Sequence, residues 1–81
     1  MKIAVLLFAA AKDAAGSSTI QLTLKESATI GELREQLAKA VPALERLNVH
    51  LLIAVNSDYA DDSVVLNKND KVACFPPVSG G

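Results

Sequence analysis

The chain has 81 residues, of which 51% are hydrophobic and 21% charged, a composition typical of one small globular domain. Eight Lys and Arg residues against nine Asp and Glu residues give a net charge of -1, and only 4% of residues are aromatic, with no Trp. Neither a basic nucleic-acid surface nor base-stacking platforms are therefore expected, and a core this small leaves little room for a deep substrate pocket.

One Cys and one His limit the chemistry that side chains can supply. They rule out an internal disulfide and a structural zinc site, so no metal site is predicted. Cys74 and His50 could form a nucleophilic pair, but Cys74 lies in the apolar run 72–75, which favours a small buried side chain. This cysteine usage is typical of the reducing cytoplasm, where we expect the protein to act.

The apolar run at residues 3–11, which follows Lys2, has two interpretations. One positive charge, an apolar stretch and small residues at its end resemble a secretory signal. The Val, Ile, Leu and Phe residues in its middle predict instead a buried β-strand over residues 2–9. The run is too short to span a bilayer, and no membrane contact is expected.

A hairpin is predicted to follow. Residues 10–17 favour a short helical turn or loop that ends at Gly16. Residues 19–25 alternate between apolar and polar side chains, which predicts a half-buried strand. The short connection between the two strands indicates that they pair in antiparallel fashion.

The clearest helix is predicted over residues 29–41. Thr29 is a good N-cap, and Glu32 completes a capping box. Apolar residues then recur at helical spacing along one face. Pro42 ends this helix or begins the next turn, and residues 43–47 predict a short second helix.

The second half of the chain predicts three strands separated by turns. The continuous apolar run at 51–55 is typical of a strand buried on both faces. Shorter strands are predicted at 64–66 and 71–75. In the turn at 67–70, Asn69 is the candidate for a left-handed backbone conformation.

This order of elements predicts an α+β fold, with a mixed sheet, one main helix packed across one face and a short second helix. The crossover helix permits the first and last strands to lie side by side in the centre, although periodicity does not establish that pairing. We expect a folded domain over residues 1–76 and an extended tail over residues 77–81.

The tail has two interpretations when its residues are considered alone. It could be a frayed terminus, which is common at chain ends. Alternatively, Gly80 and Gly81 leave the terminal carboxylate without neighbouring side chains, so that it could enter another protein's active site through a narrow channel. Pro76 and Pro77 favour an extended stem that cannot pair back onto the sheet.

The ending Phe-Pro-Pro-Val-Ser-Gly-Gly resembles the MoaD family, the small ubiquitin-like sulfur-carrier subunits of molybdopterin synthase. A terminal Gly-Gly alone is shared by all ubiquitin-like carriers, whereas the longer ending is specific. The resemblance extends over essentially the whole chain and includes residues 3–9, 29–33, 52–56 and 66–73. Asn69 departs from the pattern, because the family usually has Gly before the Asp.

The resemblance implies a β-grasp fold that retains the first strand. It implies that an E1-like, ATP-using enzyme adenylates the carboxylate of Gly81 and that a sulfurtransferase converts it to a thiocarboxylate. The carrier would then donate sulfur to cyclic pyranopterin monophosphate in the large synthase subunit, within a heterotetramer, and so build the molybdopterin dithiolene. The residues inserted with the terminus would be Pro76, Pro77, Val78, Ser79 and Gly80.

The small subunit would be non-catalytic in this scheme, with the active-site residues on the large subunit and no tightly bound cofactor. His50 and the aspartates at 58, 61 and 62 accordingly receive no catalytic role. We expect Phe8, Tyr59 and Phe75 to form a partner-facing patch on the sheet face that the helix leaves open. For Phe8, simple core filling is the alternative.

Three rival functions remain open. The chain could carry sulfur for thiamine, cysteine or tRNA thiolation, since those carriers share the fold and the Gly-Gly end. It could be a ubiquitin-like protein modifier that is joined through Gly81 to lysines of its targets. It could also be an interaction domain whose tail is inert.

Overall fold

The computed structural model describes residues 1–48 and 51–76, and within them the chain forms a five-stranded mixed sheet with its main helix across one face. The strands are β1 (Lys2–Leu7), β2 (Thr19–Thr23), β3 (Leu52–Val55), β4 (Asp58–Tyr59) and β5 (Val72–Phe75). The helices are α1 (Ala9–Ala15), α2 (Ile30–Ala40), a 3-10 helix (Pro42–Leu44) and α3 (Glu45–Asn48). His50 and the tail 77–81 lie outside the described residues.

The sheet order is β2-β1-β5-β3-β4, so the first and last strands lie side by side in the centre. They are parallel, with Leu6 opposite Ala73, whereas β1 pairs with β2, and β3 with β4 and β5, in antiparallel fashion. The α+β prediction and the strand interpretation of the N-terminal run are confirmed. The strand ends at Leu7 rather than at residue 9, because the chain turns into α1 after Phe8.

The core lies between the sheet and α2. Alternate residues of β1 point toward the helix, and Val5 has no exposed surface. From α2, Leu33 and Leu37 meet them and are equally buried. Cys74 of β5 also has no exposed surface, which confirms that it is a core residue.

The predicted start of the main helix is confirmed in detail. Thr29 Oγ1 accepts a hydrogen bond from the backbone N–H of Glu32 at 3.2 Å. The Glu32 carboxylate in turn accepts from the backbone N–H of Thr29 at 3.3 Å, which completes the capping box. At the end of α1, Gly16 adopts a left-handed conformation with φ 72°, also as predicted.

Two strand predictions are corrected. β3 is not buried on both faces, because the helices cover one face and Leu52, on the other, is 41% exposed. The segment 64–66 does not form a strand of the sheet but contributes an isolated bridge between Val65 and Thr29. Backbone hydrogen bonds from Ile30 to Val64 and from Gly31 to Asp62 attach this segment to the start of α2 instead.

Two turns also differ from the prediction. Strand β4 was not predicted; it is paired to β3 through a tight turn at Asn56 and Ser57, both of which have positive φ angles (51° and 74°). Asn69 is not among the described residues with positive φ, so its predicted left-handed conformation is wrong. The turn at 67–70 is closed by a bond from the Asp70 N–H to the Asn67 carbonyl at 3.0 Å.

Candidate functional site

The predicted donor segment begins at the end of a central strand of the sheet. Pro76 directly follows β5, and because β5 is parallel to β1, both strands end at the same end of the sheet. The antiparallel β3 begins there, with Leu52 opposite Phe75. Pro76 is half-buried at this exit, whereas the residues from Pro77 to Gly81 lie outside the described part of the chain.

Two of the three predicted interface residues meet at this exit. The rings of Phe8 and Phe75 stack with their centroids 4.9 Å apart and their planes 8° from parallel. Phe8 is 43% exposed, so it is not a core-filling residue, and Phe75 is half-buried. Phe8, which follows β1, and Phe75, which ends β5, therefore form an aromatic pair next to Pro76.

Apolar side chains continue across the sheet face that α2 leaves uncovered. We call this surface the open-face patch, formed by Leu6, Phe8, Leu52, Tyr59 and Phe75. Four of its members are large hydrophobic residues at least 41% exposed, and Tyr59 reaches 75%. Among the described residues only Val65 is a comparably exposed large hydrophobic side chain elsewhere. Exposed apolar side chains that cluster in this way indicate an interaction surface, whereas single exposed apolar residues are common on any protein.

A groove crosses the patch between Tyr59 and the central strands. Its volume is about 420 Å³, and Leu6, Ala54 and Phe75 contribute to its walls. Ala73, which lies opposite Ala54 in the register, also lines the groove with a small side chain. The groove is open and mostly apolar, so it suits a protruding side chain of another protein.

Asn56 fixes the shape of the groove's polar end. Its side-chain amide donates to the Asp70 carboxylate at 2.9 Å and accepts from the Lys71 backbone N–H at 3.0 Å. Its own backbone N–H donates to the Lys71 carbonyl at 2.8 Å. These hydrogen bonds attach the β3–β4 turn to the residues that precede β5.

The side chains offer little catalytic chemistry of their own. Burial raises the pKa of the Cys74 thiol to about 11, so it stays protonated and unreactive at neutral pH. Asp61 accepts hydrogen bonds from Ser63, and the Asp62 carboxylate pairs with Arg34 Nε at 2.7 Å, which are structural roles. Within residues 1–48 and 51–76, the structure has no cluster of three potential metal ligands.

No helix in the described part of the chain is long and apolar enough to cross a membrane.

Sequence reasoning missed two members of the patch. Leu52 was missed because it lies in a continuous apolar run, and that pattern predicts a strand buried on both faces. Leu6 shares the face of Phe8 by strand alternation, and that signal could have identified it. Of the predicted site residues, the structure brings Phe8 and Phe75 into contact, and Tyr59 lines the same groove as Phe75.

Comparison with known proteins identifies the family. The ThiS family model matches residues 5–81. The chain belongs to the ThiS family. The molybdopterin synthase sulfur carrier subunit of Arabidopsis thaliana is 32% identical, with 100% of this chain and 84% of the relative covered. The subunit of the same name from Chlamydomonas reinhardtii is 35% identical over the full length of both. The sequence resemblance to the MoaD family is thus confirmed.

Solved structures of ThiS-like proteins have the same fold. Small archaeal modifier protein 1 from Haloferax volcanii superposes with a TM-score of 0.88 at 31% identity, with both chains fully covered. A complex of subunits 1 and 2 of molybdopterin-converting factor from Helicobacter pylori contains a chain with a TM-score of 0.71 at 22% identity, also with both chains fully covered. These likenesses confirm the ubiquitin-like β-grasp fold.

Proposed function

We propose that this protein is the sulfur-carrier subunit of a molybdopterin synthase. The observation that carries the proposal is the segment at residues 75–81, whose first residue ends a central strand of the sheet beside an exposed apolar patch. Relatives bearing the name of that subunit match this chain over its full length. A carrier needs a folded domain and a surface for docking, and the five-stranded sheet with its exposed apolar patch supports both requirements.

The chemistry takes place at the carboxylate of Gly81. A carboxylate is a poor electrophile, so an E1-like enzyme first lets its oxygen attack the α-phosphorus of ATP, releasing pyrophosphate and forming an acyl adenylate. A sulfur nucleophile at the hydrosulfide level, provided by a sulfurtransferase, attacks the acyl carbon and displaces AMP. The product is a thiocarboxylate, whose sulfur is a soft nucleophile at neutral pH. ATP and the sulfur donor belong to those enzymes, and the carrier holds no tightly bound cofactor.

The large synthase subunit is the proposed partner, in a heterotetramer of two small subunits on a dimer of large ones. The open-face patch docks on it, and residues 76–80 enter its active site with the terminus. There the thiocarboxylate donates sulfur to cyclic pyranopterin monophosphate. The acid and base groups come from the large subunit, because the described side chains of this chain offer none at the exit. A reducing cytoplasm suits the thiocarboxylate.

Intact-mass spectrometry after incubation with an E1-like enzyme, Mg-ATP and inorganic sulfide tests the proposal. We expect a mass gain equal to one oxygen replaced by sulfur, located at Gly81 by fragmentation and lost when Gly81 is deleted. The Cys74→Ala variant is the matched control, since it should gain the same mass if no sulfur is attached to the thiol. Absence of the gain with an enzyme that activates another carrier would refute the sulfur-carrier function.

A protein modifier is the second candidate, favoured by one observation. The curated small archaeal modifier protein 1 of Haloferax volcanii is 35% identical, with 93% of this chain covered. In that case Gly81 would form isopeptide bonds with lysines of target proteins. A ladder of conjugates on a blot for the chain, lost on deletion of Gly81, would support this function, and thiocarboxylation without conjugates would support the carrier.

A further inference from the structure

The chain turns abruptly between β1 and α1. Strand alternation places Phe8 on the open face, yet Ala11 is completely buried on the helical side. The reversal is made at Ala9, whose φ of 51° is left-handed. A left-handed conformation is unfavourable for a non-glycine residue, so it persists only where the surrounding structure holds it.

The backbone on both sides of Phe8 is held by hydrogen bonds. The Leu7 N–H donates to the Ser18 carbonyl at 2.8 Å. The Phe8 carbonyl accepts from the N–H groups of Ala11 and Lys12 at 3.1 and 3.4 Å. The backbone that carries the Phe8 ring is therefore held in place by hydrogen bonds on both sides.

Phe75 is the last strand residue before the tail, and its orientation sets the course of the chain beyond it. Its backbone pairs with Leu52, and the stack with Phe8 holds its ring. The proline that follows has a fixed φ and confines Phe75 to an extended conformation. With those torsions restricted, the frame of Phe75 determines the direction at Pro76.

We propose that Phe8 is a positioning residue for the donor tail: its ring, held on the open face by the left-handed turn at Ala9, stacks on Phe75 and fixes the direction in which the chain leaves the sheet. This inference rests on the proposed function. In this role Phe8 orients Phe75 within the carrier itself, and the role is separate from any contact between Phe8 and a partner. A fixed exit delivers the Gly81 carboxylate to an active site with less ordering cost.

Steady-state kinetics of tail activation with Phe8→Leu and Phe8→Tyr tests the inference. Leu keeps the apolar surface but cannot stack, whereas Tyr keeps the stack. At saturating carrier, we expect kcat for thiocarboxylation to fall about three- to tenfold with Leu, the range typical of one aromatic pair, and to stay within about twofold with Tyr. A rise in KM at unchanged kcat with Leu would overturn the positioning role and leave only a contact role.

A second measurement does not depend on activation. Three-bond NMR couplings report the χ1 angle of Phe75, and thermal unfolding verifies that each variant is folded. We expect a single Phe75 rotamer in the unmodified chain and in Phe8→Tyr, and averaging among rotamers in Phe8→Leu. A single rotamer in Phe8→Leu would overturn the inference. Failure of the unmodified chain to be thiocarboxylated would refute the proposed function but not the coupling between the two rings.

Discussion

Gly16 shows how one residue without a side chain sets the end of an element. Its φ of 72° lets the chain leave α1 toward β2, and its N–H donates to the Lys12 carbonyl. A Cβ at this position would meet no atom within 4 Å, so only the backbone conformation demands glycine.

We therefore expect Gly16→Ala to lower the free energy of unfolding by about 1 kcal/mol, measured by urea denaturation. Gly31→Ala is the matched control. Gly31 is helical, and the nearest atom to its added Cβ is the Asp62 carbonyl oxygen at 3.4 Å. Ala is the better helix former, so this control should lose less stability than Gly16→Ala, and an equal loss would contradict the backbone explanation.

We expect the Cys74 thiol to lower the free energy of unfolding as the pH becomes alkaline. Its pKa is about 11 in the fold, raised by burial above its ordinary value of 9.0. As pH rises from about 9, the unfolded chain releases the thiol proton before the folded one does, so folding is progressively disfavoured until the pH passes the folded pKa. The loss should reach about 2 to 3 kcal/mol.

Urea denaturation at pH 8, 9.5 and 11 measures this loss. Cys74→Ala is less stable overall, because it leaves a cavity, but its stability should decline less over this range. The other titrating groups are common to both chains, so the difference isolates the thiol. Parallel declines in the two chains would show that the thiol does not contribute.

At the scale of elements, the start of α2 combines the capping box with the attachment of the 61–66 segment. The Lys25 ammonium lies 3.0 Å from the Glu32 carboxylate. Hydrogen bonds from Lys25 and then from the Thr29 backbone hold the pKa of Glu32 below its ordinary value. The stabilisation from this carboxylate is therefore present above its ordinary pKa and weakens as the pH falls through its lowered value.

Thr29→Ala should lower the free energy of unfolding by about 1 kcal/mol at neutral pH, because the Glu32 N–H loses its acceptor. Thr29→Ser keeps the hydroxyl and should remain within about 0.5 kcal/mol of the parent chain, in line with the similar preference of the two residues for this position. Thermal or urea unfolding of the three chains measures both values. A Ser variant as unstable as the Ala variant would mean that the cap does not depend on the hydroxyl.

The sequence predicted elements well where a local rule decides the structure. The capping residues of α2, the alternation in β2 and the glycine after α1 each act within a few residues, and each is confirmed. The wrong predictions concern residues whose exposure or pairing is decided by tertiary packing. Leu52 looks buried because its neighbours in the sequence are apolar, but exposure depends on which sheet face the helices cover. The segment 64–66 has strand-forming residues, yet it is attached to α2 rather than to the sheet.

At the scale of the whole molecule, the open-face patch should determine docking more than stability. Tyr59 is 75% exposed, so Tyr59→Ala should change stability little. We expect its Kd for the proposed partner, a large synthase subunit, to rise about tenfold or more, as for an aromatic interface anchor. Val65→Ala is the matched control, since Val65 is 51% exposed but lies outside the patch. Calorimetric titration of both variants measures the effect, and equal affinities would remove Tyr59 from the interface.

The candidate site could be predicted only in part for the same physical reason. Phe8 and Phe75 belong to the first and last strands, and periodicity gives the face of each strand but not which strands are neighbours. The parallel pairing of β1 with β5 brings the two rings together, and it is a property of the complete sheet. The tail residues alone left a frayed end and a delivery arm as alternatives; the resemblance to a family favoured the second, and the role of Gly81 stays a prediction.

The parallel pairing of β1 with β5 also constrains how the protein is made. Val5 is paired with Val72, so the central strand pair cannot form during synthesis until nearly the whole domain has been translated. A nascent chain that stops early lacks β5, and its two hairpins have no common centre. A domain in which the central strand pair has formed therefore already contains β5, the strand that Pro76 follows.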